Sequence, residues 1–128
     1  PWCYSKNVTL AVVEQSYNTH KCQLIVARNK LDSSLMAYSW LTRNHYMPYA
    51  HDECAEAAFA HIDLKLPLRT RITLMAQILQ QWILWCQICQ IPVLVSTTIR
   101  EDQQGFINLH RAAGFSVRGS FAFMKVAQ

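Results

Sequence analysis

Two arginines and two threonines follow a proline in Pro67-Leu68-Arg69-Thr70-Arg71-Ile72-Thr73, and the apolar run beyond them has helical spacing. A helix entered there leaves unpaired backbone N–H groups at its positive end. With guanidinium groups beside them, such amides can hold an anion, a pyrophosphate in particular. The same residues also read as a solvated basic turn in which a threonine caps the helix. Two further groups can handle protons. Asp63, near the end of a strand-like run, can take a proton from an amine directly or through water, or it can pair with Arg69 or Arg71. His110 shares a helical face with Phe106, Leu109 and Ala113. Its imidazole is either packed at a core rim or used to pass protons near neutrality.

The elements that must position these groups are legible as periodicities. Leu74, Ile78, Trp82, Trp85 and Cys89 predict a helix over 73–89. Met75, Leu79, Ile83 and Cys86 widen its apolar stripe to most of the circumference, so it is expected to be largely buried. The remaining face, Gln77, Gln80, Gln81 and Gln87, is uncharged and is either exposed or packed on another subunit, which would make a homodimer. Residues 91–97 form a short β-branched run with Pro92 at its start, a buried strand. Thr98-x-x-Glu101 matches a capping box and Gly114 a left-handed helix end, so a helix is expected over 99–113.

Upstream, residues 55–65 alternate as a strand carrying Ile62, Asp63 and Leu64 at its end. Residues 22–28 and 35–42 flank a polar connection of hairpin length and are expected to pair antiparallel. In the second of these, Met36, Tyr38 and Trp40 alternate with Ala37, Ser39 and Leu41, so one face can line a cleft while the other packs on a helix. Residues 44–53 lack periodicity and contain Pro48, which predicts a loop. Asn7 can cap a helix over 8–19, and residues 115–126 read as two strands about Gly119.

From 54 to 126 this order, strand, basic turn, helix, strand, then the helix closing Ile107-Asn108-Leu109-His110-Arg111-Ala112-Ala113-Gly114-Phe115, resembles the second half of the GNAT acyltransferase superfamily. The resemblance implies a mixed α/β (α+β) fold, a central, mostly antiparallel twisted sheet flanked by helices, with a compressed N-terminus. It implies a single acyltransferase domain over 1–128, using acetyl-CoA or another acyl-CoA and an amine-bearing acceptor, whether a small molecule, a protein or a nucleic-acid base. By that likeness the cofactor's pyrophosphate falls on Arg69, Thr70, Arg71, Ile72 and Thr73, and its pantetheine on Ile62, Asp63 and Leu64. His110 takes the place of the family's general-acid tyrosine and Asp63 becomes the base. Arg71 and Thr73 stand where the family carries glycines. A non-catalytic or structural member, virus-associated or an interaction module, is therefore the rival expectation. Fainter likenesses point to acyltransferases that activate toxins and to a DNA-base-modifying phage branch.

Composition bounds these readings. The 128 residues, 52% hydrophobic, can bury one sizeable core, and the net charge of +4 favours an anionic partner. Twelve Lys and Arg spread along the chain are fewer than a dedicated nucleic-acid binder concentrates on one face. No window reaches the apolar length of a membrane span, and no secretory signal pattern is present. Five cysteines without framework spacing fit reduced thiols in a cytoplasm. Pro1 reads as the residue left after removal of an initiator Met. Cys86-x-x-Cys89 with His51-x-x-Cys54 matches zinc spacing only loosely, and no metal is expected.

Overall fold

The expected hairpin forms as β1 (Cys22–Arg28) and β2 (Leu35–Tyr46), paired antiparallel from Cys22↔Thr42 to Arg28↔Leu35. The polar connection supplies its own scaffold. Asn29 Oδ1 accepts from the Leu31 amide at 2.8 Å and Asp32 Oδ1 from the Ser34 amide at 2.9 Å, side-chain turns that short polar residues favour. The computed structural model describes residues 10, 13, 17–46, 51–97, 104–118 and 124. It divides into two compact units, Pro1–Ser96 and Thr97–Gln128.

In the first unit, β3 (Glu53–Ile62) pairs antiparallel with β2, and β4 (Val93–Val95) pairs parallel with β3, giving a mostly antiparallel sheet in the order β1-β2-β3-β4. The loop predicted over 44–53 is shorter at both ends, and 47–50 lie outside the described residues. Asn44, His45 and Tyr46 continue β2, because His45 and Tyr46 find partners in Cys54 and Glu53. Arg43 secures this end with a bidentate pair to Glu53 at 2.7 and 3.2 Å and a bond to the His20 carbonyl at 3.0 Å.

The helix α1 (Leu68–Ile88) crosses from β3 to β4. It starts five residues before the predicted Thr73. Arg, Thr and Leu are all acceptable in a helix, and Pro67, with its fixed φ, sets the first turn as the residue before Leu68. Only one side of α1 is buried, through Ile78, Leu79, Trp82, Trp85 and Cys86, so the helix is less enclosed than its composition predicts. That side meets the small face of β2: Ala37, Ser39 and Leu41 are at most 1% exposed. Trp82 Nε1 donates to Ser39 Oγ at 3.1 Å inside this layer. Each fully buried large side chain contributes roughly 2–3 kcal/mol by area.

The C-terminus of α1 folds back through Gln90, which takes φ 57°, with the Ile91 amide bonded to the Cys86 carbonyl at 2.8 Å and the Ile91 side chain buried. This is a Schellman closure lacking its usual glycine. The predicted strand over 91–97 is confined to Val93–Val95. In the second unit, α2 (Gln104–Ala112) ends as expected at Gly114, φ +99°, where the Phe115 amide bonds the His110 carbonyl at 2.9 Å. The capping box at Thr98 and Glu101 lies outside the described residues. So do most of the two terminal strands, of which 115–118 carry no strand. Leu10, Val13 and Tyr17 are helical, as expected of 8–19, most of which also lies outside the described residues.

Candidate functional site

A fork in the sheet is the main feature of the first unit. β3 and β4 are paired only where Cys54, Ala55 and Glu56 meet Val93, Leu94 and Val95. β4 ends there, whereas β3 runs on to Ile62. Among the described residues, the edge of β3 over 57–62 therefore has no strand beside it on the β4 side. The parting coincides with a bulge, since Trp40 faces Phe59 while Leu41 faces Ala57, leaving Ala58 as the extra residue. A bulge bends its strand and sharpens its twist. An unpaired edge is a row of amide donors and acceptors that an extended, amide-bearing chain can join as an added strand.

Beyond Ile62 the chain turns directly into α1, and Asp63 builds the turn. Its amide donates to the Met36 carbonyl at 2.9 Å, its Oδ1 accepts from the Lys65 amide at 3.0 Å, and its carbonyl accepts from the Leu66 amide at 3.2 Å. One carboxylate oxygen is thus committed to backbone. Neither Arg69 nor Arg71 pairs with it, Arg71 Nε donating to the Leu66 carbonyl at 3.2 Å instead, so the ion-pair alternative for Asp63 is not the one formed. Leu64, expected beside the pantetheine, is 57% exposed at the outside of the turn.

The start of α1 is built to receive a negative charge. Pro67 provides no side-chain cap, and the first turn carries no acidic residue. The first helical hydrogen bond is from the Arg71 amide to the Pro67 carbonyl at 3.0 Å, which leaves the amides of Leu68, Arg69 and Thr70 open. Arg69 is exposed with no ion-pair partner among the described residues. Of the predicted pyrophosphate residues, Arg69 and Thr70 present both open amides and polar side chains. Ile72 and Thr73 lie within the helix, and the Thr73 hydroxyl donates back to the Arg69 carbonyl at 3.0 Å. A threonine predicted as a cap instead closes its own turn.

His110 belongs to the second unit and is 1% exposed. Its ring stacks on Phe106 at 3.8 Å and meets Phe115 edge-on at 4.9 Å. Nδ1 lies 2.8 Å from the Phe106 carbonyl. A carbonyl only accepts, so Nδ1 carries the proton and Nε2 holds the lone pair of the neutral ring. Burial pushes its pKa below the ordinary histidine value, and the bond to Phe106 opposes that in part.

Leu68 and the open edge over 57–62 are not legible in the sequence. The proline-bounded turn at 63–67 was the available signal for Leu68. Strand pairing, which no local pattern encodes, decides the edge. Among the described residues no group of His, Cys, Asp and Glu could hold a metal ion. Burial first, then the neighbouring Cys89, pushes the Cys86 thiol up to about 11, so it is an inert packing group. No helix of the described residues is long and apolar enough to cross a membrane.

With its mostly antiparallel mixed sheet flanked by helices, the chain has the fold seen in solved acetyltransferase structures. It is similar to aminoglycoside 6'-N-acetyltransferase AAC(6')-Ih from Acinetobacter baumannii, with TM-score 0.65 and 17% identity over 99% of this chain and 84% of that one. It is also similar to AAC(6')-Iy in complex with a CoA-S-monomethyl-acetylneamine bisubstrate analogue, with TM-score 0.69 and 14% identity over 98% and 82%. Glucosamine-6-phosphate N-acetyltransferase from Arabidopsis thaliana gives TM-score 0.70 and 10% identity over 94% and 76%. No protein-family model matches the chain, and no curated protein matches it.

Proposed function

We propose that the chain is an acyl-CoA-dependent N-acyltransferase, acetyltransferase-like, that transfers an acyl group to an amine by direct attack. The observation that carries this reading is the continuity of the open β3 edge with the uncapped start of α1. Pantetheine amides can add to the edge over 57–62 as a strand, continuing toward Ile62, Asp63 and Leu64. The diphosphate then meets the amides of Leu68, Arg69 and Thr70 and the Arg69 guanidinium, with Arg71, Ile72 and Thr73 behind them. That a relative of this fold was solved with a CoA bisubstrate analogue supports the choice of cofactor.

In the reaction the amine lone pair forms a bond to the thioester carbonyl carbon. The resulting tetrahedral intermediate collapses with cleavage of the C–S bond, the electron pair leaving on sulfur. The nitrogen gives up one proton and the thiolate gains one. We assign the first transfer to Asp63, directly or through water, and the second to His110. To act as that acid His110 must first take up a proton on Nε2, because the N–H of its neutral ring is held by the Phe106 carbonyl. The reading takes 1–128 as one acyltransferase domain and the acceptor as a small-molecule, protein or nucleic-acid amine. A toxin-activating or DNA-modifying specialisation would appear as selectivity among these. The free thiols of Cys22, Cys54, Cys86 and Cys89 fit a reducing cytoplasm.

A non-catalytic protein of the same fold is the second reading. It is favoured by the commitment of Arg71 and Thr73 to their own backbone where the family carries glycines. Calorimetric titration with acetyl-CoA separates the two. Saturable binding supports the transferase, and absence of binding at millimolar cofactor rejects it. In a binding-competent protein, His110→Ala should lower turnover far more than cofactor affinity, and equal losses would reject its acid role.

A further inference from the structure

The Cys86-x-x-Cys89 pair lies at the opposite end of α1 from the proposed diphosphate site, about 31 Å away along a helix of 21 residues. Its two thiols differ. Cys86 is buried, whereas Cys89, the residue that closes α1, is only half-buried. The Cys89 Sγ lies 3.8 Å from Nδ1 of His20, 69 residues away in the chain. Hydrogen bonds to the backbone hold that histidine in place. Its amide donates to Asn18 Oδ1 at 3.1 Å, its carbonyl accepts from Arg43 Nη1 at 3.0 Å, and the carbonyl of Thr19 before it accepts from Trp85 Nε1 at 3.1 Å. The last of these bonds comes from α1 itself, one turn before Cys89, so the anchors of the turn set the imidazole against the thiol.

We propose that Cys89 is a site of reversible S-thiolation, with His20 as its base and a low-molecular-weight disulfide as the reagent. A small reagent suits a thiol that is only partly exposed. For Nδ1 to accept the thiol proton, the neutral His20 ring carries its hydrogen on Nε2, the reverse of His110. As Sγ gives its proton to Nδ1, the sulfur attacks one sulfur of the reagent. A new S–S bond forms to Cys89, the S–S bond of the reagent breaks, and the departing thiolate takes up a proton. Cys89 is oxidised, the leaving half of the reagent is reduced to a thiol, and no further oxidant is needed. Other groups bear on the developing thiolate in opposite senses. The Arg43 guanidinium attracts it, Glu53, paired with Arg43 at 2.7 Å, offsets part of that attraction, and the carbonyl end of α1 opposes it. The imidazole in contact with the sulfur therefore decides its reactivity. Cys22, Cys54 and Cys86 are buried, which makes a structural thiol inert, so they serve as controls within the same molecule. No residue of the proposed transferase takes part, and the site stands or falls without that reading.

The test is to incubate the native full chain with glutathione disulfide between about pH 6 and about pH 8. Peptide mass mapping times the adduct at each cysteine, with fragment ions separating Cys86 from Cys89. Cys89 should react at least about tenfold faster than Cys22, Cys54 or Cys86, and added dithiothreitol should restore it. His20→Ala should slow Cys89 at least about fivefold, although it uncovers the sulfur. Loss of a base has that effect, whereas exposure alone would have the reverse. The pH dependence separates the two as well. A thiol acting unaided gains about tenfold in rate per pH unit below its ordinary pKa of about 8.5, the slope expected of His20→Ala. The wild type should rise less steeply, because the imidazole already takes the proton. Continued slow reaction of Cys54 and Cys86 reports in the same digest that the variant is folded. Wild-type Cys89 that reacts no faster than the buried thiols overturns the proposal. So does His20→Ala that reacts as fast as wild type or faster, or a pH slope that is the same in both.

Discussion

Reversing the charge of Arg69 should move cofactor affinity and fold stability in opposite directions. Arg69 occupies the first turn of α1, where three amides are open, no acid is present and no side chain caps the helix. For the empty protein a cation at this end is unfavourable. Arg69→Glu should therefore stabilise the fold by about 0.3–1 kcal/mol through the helix dipole. For a bound diphosphate the sign is reversed. Loss of one exposed charge-assisted contact, worth about 1 kcal/mol once solvent screening is allowed for, adds to repulsion of similar size. The sum, about 2 kcal/mol, is a roughly 30-fold rise in Kd. Urea unfolding and acetyl-CoA calorimetry on the same preparation read both numbers, and Arg69→Ala should fall between. Because the variant is expected to be more stable, weakened binding cannot be ascribed to unfolding. Unchanged affinity in Arg69→Glu would refute the assignment of this helix end to the diphosphate.

Ser39→Ala should cost about 1–3 kcal/mol in urea unfolding, because it leaves the buried Trp82 N–H without its acceptor; a loss below about 0.5 kcal/mol would mean the bond is replaced. Gln90→Gly should raise stability by about 0.5–1 kcal/mol, since only glycine takes φ 57° without steric cost. A destabilised variant would contradict the Schellman geometry. His110 is held below its unfolded-state pKa of about 6.5, so the unfolded chain binds the extra proton first. Its contribution is full above about pH 6.5 and is lost as pH falls toward the folded value. Wild type should lose stability between pH 7 and pH 5 more steeply than His110→Gln, and parallel slopes would count against the buried neutral ring.

What the sequence conveyed well was local. The β1–β2 hairpin was marked by alternation around a polar connection whose Asn29 and Asp32 do form the turns their chemistry favours. Gly114 ended a helix in the left-handed region because glycine bears that φ without strain. The start of α1 was misplaced because arginine and threonine suit a turn and a first helical turn alike, and Pro67 decided between them. The face of β2 that meets α1 was the small one, Ala37, Ser39 and Leu41. A helix bearing Trp82 and Trp85 needs room, while Tyr38 meets Phe59 edge-on and Trp40 meets it tilted on the opposite face. The fork was illegible from one strand, because it depends on where β4 stops relative to β3. Asp63 and His110 were visible as chemical types. Their commitments, to the Lys65 amide and the Phe106 carbonyl, are tertiary facts of the turn and the helix.

Backbone amide resonances of residues 57–62 and 68–70, followed during acetyl-CoA addition, address the central assignment most directly. The account predicts saturable shifts and slowed exchange at both segments together, since one ligand must span the β3 edge and the start of α1. Saturation that leaves both segments unmoved, or that shifts only amides elsewhere in the chain, would contradict it.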